Sequence, residues 1–547
     1  MSTAAVIDPS QVEVGNSLPP FGPHTVTMHF PGWEAAMKFR DGDMSLMAKL
    51  KAVYPRFSPW GPTRELCGLV GQKIGLPSGH GCAAFLSPEV LATNQEHATN
   101  ALRKEHKLEA SELKYYAVEI NGVRLYVVAF PMQKTMGAIF DWQHGGLGFS
   151  TRASKALLQH REEIQILGEI TDVTKAPEPT YFKETESHSA LRERIAELMM
   201  RACAVEHKIA VKTDDVTLYQ TGMAAIHRLH DALVSLRRGP TVVFGAVFHS
   251  TYHLFEESAS GIKLYGVASD ADVDDFEKYL EGGGECGYVY TEFPNNPVMV
   301  SVDLMRLRKL ADKYGFFLVT DDTCASFANI DLLAAADVVV TSLTKSFSGY
   351  SDVMAGSVVL NPNSTRYGVL KAEVSSRFHN EFFEDDAAHL LANNKDFLPR
   401  TIIHNRNATA IASYFHSLAQ ESGSPVTKVC YPPHSQGSKY LESFMRKPTD
   451  ELPQPGYGSL LSVEFDTLEH LITFYNNLNF FCGPHLGAHL TICCPYNALT
   501  YGKEHPEEYA GYGLTQEQLR IAVGYEDSDV LLQRCKDAYA KLLETVT

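Results

Sequence analysis

No stretch of this chain reaches the roughly 18 consecutive apolar residues that a membrane span needs, so no spanning segment is expected. Positive charge is also short: 48 Lys and Arg stand against 65 Asp and Glu, a net charge of −17. That balance argues against a nucleic-acid partner or an anionic membrane surface. The ten cysteines include no Cys-x-x-Cys pair, which leaves reduced, mostly buried thiols rather than a disulfide framework. Cys493 and Cys494 lie in an apolar, strand-like stretch and read as core. No Gly-x-Gly-x-x-Gly opens a helix, so no dinucleotide site is implied. The first ten residues hold neither a basic region nor an apolar one, so no secretory leader is expected and the cytoplasm is the expected location. Among 22 histidines, His249 and His253 stand four apart, but Ser-Thr-Tyr between them carries no helix signal and no third ligand follows. No metal site is expected.

What is present begins at Lys345, in Thr-Ser-Leu-Thr-Lys-Ser-Phe-Ser-Gly-Tyr (341–350). A lysine just past a Val-Val-Val-Thr strand, with hydroxyls at Ser342 and Thr344, suits covalent attachment of pyridoxal phosphate: the amine condenses with the aldehyde and the hydroxyls donate to the phosphate. Upstream, Phe-Phe-Leu-Val-Thr-Asp-Asp-Thr (316–323) reads as a strand ending in two carboxylates. A carboxylate there projects into the crevice where α/β folds bind ligands, and facing the pyridine nitrogen it keeps that nitrogen protonated. Side-chain alternation sends Asp321 and Asp322 to opposite faces, and Asp321 is the preferred partner. Further upstream, Val-Thr-Leu-Tyr-Gln-Thr-Gly-Met-Ala-Ala-Ile (216–226) is a strand, a glycine turn and a helix running to about Arg238. The N–H groups of Gly222 and Met223 open that helix and form a phosphate site.

These segments resemble the Cys/Met-metabolism family of pyridoxal-phosphate enzymes, and within it the fungal-type cystathionine γ-synthase branch. Tyr-Gln-Thr-Gly-Met-Ala-Ala-Ile is similar to the family's phosphate loop, and Ser-Leu-Thr-Lys to its lysine motif. Glu-Phe-Pro-Asn-Asn-Pro (292–297) resembles a segment whose asparagine, here Asn296, lies near the cofactor's phenolic oxygen. Gly-Pro-His-Leu-Gly (483–487) and Leu-Arg-Ile-Ala-Val-Gly-Tyr-Glu-Asp (519–527) resemble the stretches that close over the substrate. The resemblance makes Arg520 the partner of the substrate's α-carboxylate. It implies γ-replacement on an O-acyl-L-homoserine, in which Lys345 is imine partner and general base, a γ-leaving group is expelled, and a nucleophile adds to the unsaturated unit.

Four positions depart from the family pattern. The ring stacked on the cofactor is Phe248 instead of tyrosine, and the Gly-Gly that follows it is His249-Ser250. The phosphate-binding Tyr-x-Arg lent by a neighbouring subunit is matched to Ser150-Thr151-Arg152, so only Arg152 carries over. His485 replaces a serine that touches substrate. The cofactor side is nearly intact and the substrate side altered. This points to a specialised paralogue, with His485 and His249 as bases for a carbon nucleophile such as an enolisable ketone or aldehyde. Cystathionine synthesis from cysteine and a γ-lyase activity stay open.

The expected fold is α/β: a fold-type I, aspartate-aminotransferase-like enzyme with a mostly parallel sheet in its large domain. Residues 1–150 form a folded extension with no assigned chemistry, although Tyr-Pro-Arg-Phe (54–57) resembles the branch's own extension. Residues 151–395 form the large cofactor-binding domain and 396–547 a smaller α+β domain, joined near Asn393–Arg400. A homodimer or homotetramer with shared sites is expected, since Arg152 is to reach a neighbour, and the substrate is a small amino acid.

Overall fold

The computed structural model describes residues 7–502 and 506–546. Residues 1–6, which bore on the leader expectation, and Thr547, the expected end of the last helix, lie outside the described residues.

The extension is two bodies. Residues 7–60 form a strap along the C-terminal unit: Phe30 N–H donates to Cys482 O at 3.0 Å and Trp33 N–H to Asn476 Oδ1 at 2.8 Å. Met28 and Phe30 are buried in that unit's core. A four-stranded antiparallel sheet follows, built of β1 (His80–Phe85), β2 (Lys114–Ile120), β3 (Val123–Pro131) and β4 (Gln165–Glu169) in the order β1-β3-β2-β4. Asn121 and Gly122, both at positive φ, make the two-residue turn between β2 and β3 that the strand twist favours. Because β4 belongs to this sheet, the extension's fold runs past the expected boundary at 150.

The large domain holds β5 (Val216–Tyr219), β6 (Thr241–Phe244), β7 (Ile262–Tyr265), β8 (Tyr288–Glu292), β9 (Phe317–Asp321), β10 (Val338–Thr341) and β11 (Gly356–Leu360). Their order is β5-β11-β10-β9-β8-β6-β7. Pairs β10/β9, β9/β8, β8/β6 and β6/β7 are parallel, while β11 runs antiparallel to both its neighbours. The near-continuous Val and Phe runs of these strands reflect burial on both faces. Between β8 and β9 the helix Leu304–Tyr314 turns Leu304, Leu307, Leu310 and Ala311 inward; Asp303 caps its start and Gly315, at φ +83, ends it.

No extended linker joins the domains. The helix Glu384–Asn393, a tight turn, and the 23-residue helix Phe397–Ala419 carry the chain across. Arg400 explains the closed geometry. It is buried, donates to Ser346 O at 2.8 Å and Phe347 O at 3.1 Å, and pairs with Asp396 at 2.8 Å. The C-terminal sheet comprises β12 (Val426–Cys430), β13 (Leu460–Phe465), β14 (Phe481–Cys482), β15 (Ile492–Cys494) and β16 (Gln518–Ala522) in the order β12-β13-β16-β15-β14. The closing helix Ser528–Val546 buries Leu531, Cys535, Ala538 and Leu542 against it. Among the described residues no helix is long and apolar enough to cross a membrane.

Candidate active site

The carboxyl ends of the parallel strands, the start of the helix Gly222–Leu236, the strap and β16 enclose one cavity of about 150 Å³. Lys345 enters it from the turn between β10 and β11. Thr344 Oγ1 accepts from Ala355 N–H at 3.0 Å and lies 3.2 Å from Ala355 O, which pins that turn. The Thr344 hydroxyl is therefore engaged in its own turn and is not on the cavity wall. Ser342 is. Enclosure, with Arg56 and Arg520 nearby, brings the Lys345 ammonium down to about 7. Its Nζ lies 3.3 Å from His485 Nδ1 and 5.0 Å from the centre of the Tyr54 ring.

Asp321 ends β9 and lines the cavity, its oxygens accepting from Thr323 N–H at 2.9 Å and Tyr290 O–H at 3.0 Å. Asp322 points the other way and accepts from Thr341 Oγ1 at 2.6 Å, as strand alternation requires. Burial raises the pKa of Asp321; burial and the Asp321 charge push Glu292 up to about 8. Glu292 accepts from Phe248 N–H at 2.6 Å and Asn296 N–H at 3.2 Å, and so ties two cavity residues to the end of β8. At the helix opening, Thr221 caps Ala224 N–H at 2.9 Å. A Cβ on Gly222 would fall 2.8 Å from Ser342, so only glycine keeps that space.

Two buried guanidiniums face the cavity without a carboxylate partner in ion-pair range among the described residues. Arg520, on β16, lies 4.0 Å from the Tyr496 ring centre and donates to Asn296 Oδ1 at 3.1 Å. Arg56 was not anticipated. It comes from the strap, donates to Ser250 Oγ at 3.0 Å and to Gln143 O, and lies 5.0 Å from the Phe248 ring centre. Its Nη2 is buried with no hydrogen-bond partner. Tyr54-Pro55-Arg56 holds the Tyr-x-Arg spacing that was matched to residues 150–152; that spacing was the signal available in the sequence.

Arg152 stands elsewhere. It donates to Asp386 Oδ1 at 3.0 Å and Asp352 O at 2.7 Å and is not on the cavity wall. His485 is buried beside Lys345 and edge-on to Tyr54, also off the wall, with Nε2 unpartnered. Burial, then Lys345 and Arg520, hold it well below the usual imidazole range. His249 does line the cavity, at the head of a helix, His249–Glu256, that the sequence had not suggested. Leu254 and Phe255, buried in the core, hold that helix in place of local propensity. Among the described residues, one group of possible metal ligands converges: Cys203, His207 and Asp331. The Asp331 carboxylate, 2.8 Å from His207 Nε2, and the Cys203 thiol raise that imidazole to about 9.

The cavity fits pyridoxal phosphate. The orphaned Arg56 Nη2 and the Gly222–Met223 opening suit a phosphate, and a lysine neutral near pH 7 suits the aldehyde. Asp321, buried without a cationic partner, suits a protonated pyridine nitrogen. Fold and site define a pyridoxal-phosphate enzyme of the fold-type I α/β class. The description Cys/Met metabolism PLP-dependent enzyme matches residues 183–540, and the chain belongs to that family. It is 31% identical to the cystathionine gamma-synthase-like protein ankD of Aspergillus thermomutatus, over 96% of this chain and 94% of that protein. It is 32% identical to the alanine racemase ungC of Aspergillus violaceofuscus, over 76% and 73%. A crystal structure of cystathionine gamma synthase from Xanthomonas oryzae pv. oryzae, in complex with cystathionine, superposes with a TM-score of 0.54 at 22% identity, covering 68% of this chain and 91% of that one. That likeness bears on the fold alone.

Proposed function

We propose that the chain catalyses γ-replacement on an O-acyl-L-homoserine, with an uncharged enolisable carbonyl compound as nucleophile. The observation that carries this reading is the count of buried cations. Arg56 and Arg520 are the two guanidiniums on the cavity wall, and the remaining cation there is Lys345. One guanidinium serves the cofactor phosphate and the other an amino-acid carboxylate, whose two oxygens match its fork. A cysteine nucleophile would bring a second carboxylate, and an unpaired buried carboxylate is costly. Among polar groups such as Asn296, Thr323 and Thr500, the wall also carries Phe57, Met223, Ile226, Phe248, Leu486 and Tyr496, an apolar share that suits an uncharged carbonyl compound.

Pyridoxal phosphate, when bound, supplies the electron sink that acidifies hydrogens on the amino acid's α and β carbons. Arg520 orients the amino acid by its carboxylate. Lys345, neutral above about pH 7, takes and returns the α-hydrogen as a proton. His485 Nδ1, 3.3 Å from Lys345 Nζ, accepts a hydrogen bond from the amine and fixes its direction. His249 is the second base on the wall, placed for the nucleophile's proton. A reducing compartment such as the cytoplasm suits ten free cysteines. A homo-oligomer remains part of this reading, although Arg56 supplies a guanidinium from the same chain.

The test is incubation with O-acetyl-L-homoserine and, in competition, cysteine and ethyl acetoacetate, with products identified by mass. A carbon-linked adduct formed in preference to cystathionine supports the reading. Efficient cystathionine formation without carbon adduct overturns the choice of nucleophile, and 2-oxobutanoate alone makes the chain a γ-lyase.

A further inference from the structure

In the helix His249–Glu256, positions 249, 253 and 256 fall on one face at i, i+4 and i+7. His249 is on the cavity wall, while the side chains of His253 and Glu256 are 17% and 33% exposed, so this face runs from the cavity to solvent. His253 Nε2 lies 2.9 Å from His249 Nε2, and His253 Nδ1 lies 3.1 Å from Glu256 Oε2. Two ring nitrogens at that separation share one proton. A carboxylate accepting from His253 Nδ1–H leaves Nε2 of a neutral His253 as acceptor. The shared proton then sits on His249 Nε2, and His249 Nδ1 carries a lone pair.

We propose that His249, His253 and Glu256 form a proton relay between the cavity and solvent, with His249 as its acid–base terminus. The proposal rests on the function above, whose reaction removes and returns protons. A proton arrives at His249 Nδ1, the Nε2 proton passes to His253 Nε2, and the Nδ1 proton of His253 passes to Glu256 and on to water. One proton enters and one leaves. Both rings end neutral with tautomers exchanged, and the reverse passage restores them.

The surroundings favour transfer over storage. Arg56 and Arg103 approach from the N-terminal segment, Arg103 paired with Glu257; His144 packs its ring 5.3 Å from that of His253; Tyr501 lies 5.8 Å from His249; and Tyr252 is adjacent on the helix. Burial, His253 and Arg56 keep His249 well below the usual imidazole range, so it does not hold a charge at neutral pH. A purely structural histidine pair would need neither the carboxylate nor the opening to solvent.

The experiment uses the cofactor-loaded protein and Glu256→Gln and His253→Gln variants. Exchange of each histidine's C2 hydrogen in D2O, followed by mass spectrometry across pH, gives every imidazole's titration midpoint without any turnover. Glu256→Gln is expected to lower the midpoint of His249, which Glu256 does not touch. In turnover it should move the acidic limb of the pH–rate profile downward and slow the reaction about tenfold. His253→Gln, which keeps polar contacts but passes no proton, should slow it on the order of 100-fold. An unmoved His249 midpoint in Glu256→Gln, or a wild-type rate and limb in His253→Gln, overturns the relay. If wild-type protein converts no O-acyl-homoserine, the functional reading fails, and the exchange midpoints still decide the relay.

Discussion

Arg56 and Arg520 bring like charges into one cavity from opposite ends of the chain, and their surroundings separate their tasks. Arg56 touches Ser250 and Phe248, beside the glycine opening; Arg520 touches Asn296 and Tyr496. Arg520→Ala should therefore raise KM for the amino acid while cofactor stays bound. The loss should be on the order of 2–5 kcal/mol, as for a desolvated charge pair missing one partner. Arg56→Ala should instead raise the Kd for pyridoxal phosphate by a similar factor, read by equilibrium dialysis; the opposite pattern would exchange the two roles. Asp321→Asn should leave cofactor attached but cripple exchange of the substrate's α-hydrogen in D2O, while Asp322→Asn exchanges at near wild-type rate. Lys345 adds a pH signature. Because its amine titrates near 7, uptake of cofactor by stripped protein should climb from pH 6 to 8 and then level, where an ordinary lysine would keep climbing toward 10.5. Stopped-flow absorbance measures this.

At the scale of elements, turns and loops hold the site. Gly487, at φ +72, passes so close to the lysine turn that a Cβ would lie 2.5 Å from Ser346 N and 2.8 Å from Lys345 C. Gly487→Ala should destabilise the protein by about 2 kcal/mol or more in denaturant melts, and misplace Lys345. The loop after the helix Glu186–Met200 is fastened by His207 to Asp331. The folded-state value near 9 exceeds the ordinary 6.5, so this stabilisation is complete below about pH 6.5 and disappears as pH rises through 9. Thermal melts between pH 6.5 and 9.5 should lose on the order of 2–3 kcal/mol in wild type and much less in His207→Gln. The strand ends that carry Asp321 and Lys345 were legible because strands buried on both faces read as unbroken apolar runs that stop at a polar residue. The helix His249–Glu256 was not, since Ser, Thr, Tyr and His are weak helix formers and the support comes from the core. Arg56 escaped for another reason: its Tyr-x-Arg spacing was assigned to residues 150–152 instead, and its contact with Ser250, 194 positions away, is made only by the fold.

Across the whole molecule, the strap and the cavity belong to one chain. Co-expression of a Lys345→Ala chain with an Arg56→Ala chain should therefore restore no activity, because each site lacks one of its own residues. Recovery toward a quarter of wild type or more would mean that straps are exchanged between subunits. The helix Phe397–Ala419 has a comparable reach. Its first turns hold the carbonyls after Lys345 through Arg400, and its far end is buried against the sheet that carries Arg520. At 1.5 Å per residue it is a rod of about 35 Å, and a tilt of only ~5° moves its tip by ~3 Å. Ser346 O and Phe347 O, next to Lys345, hang on one end of this rod, and the sheet that carries Arg520 packs on the other. The bearing of the amine and the seat of the guanidinium are thereby set by a single stiff helix.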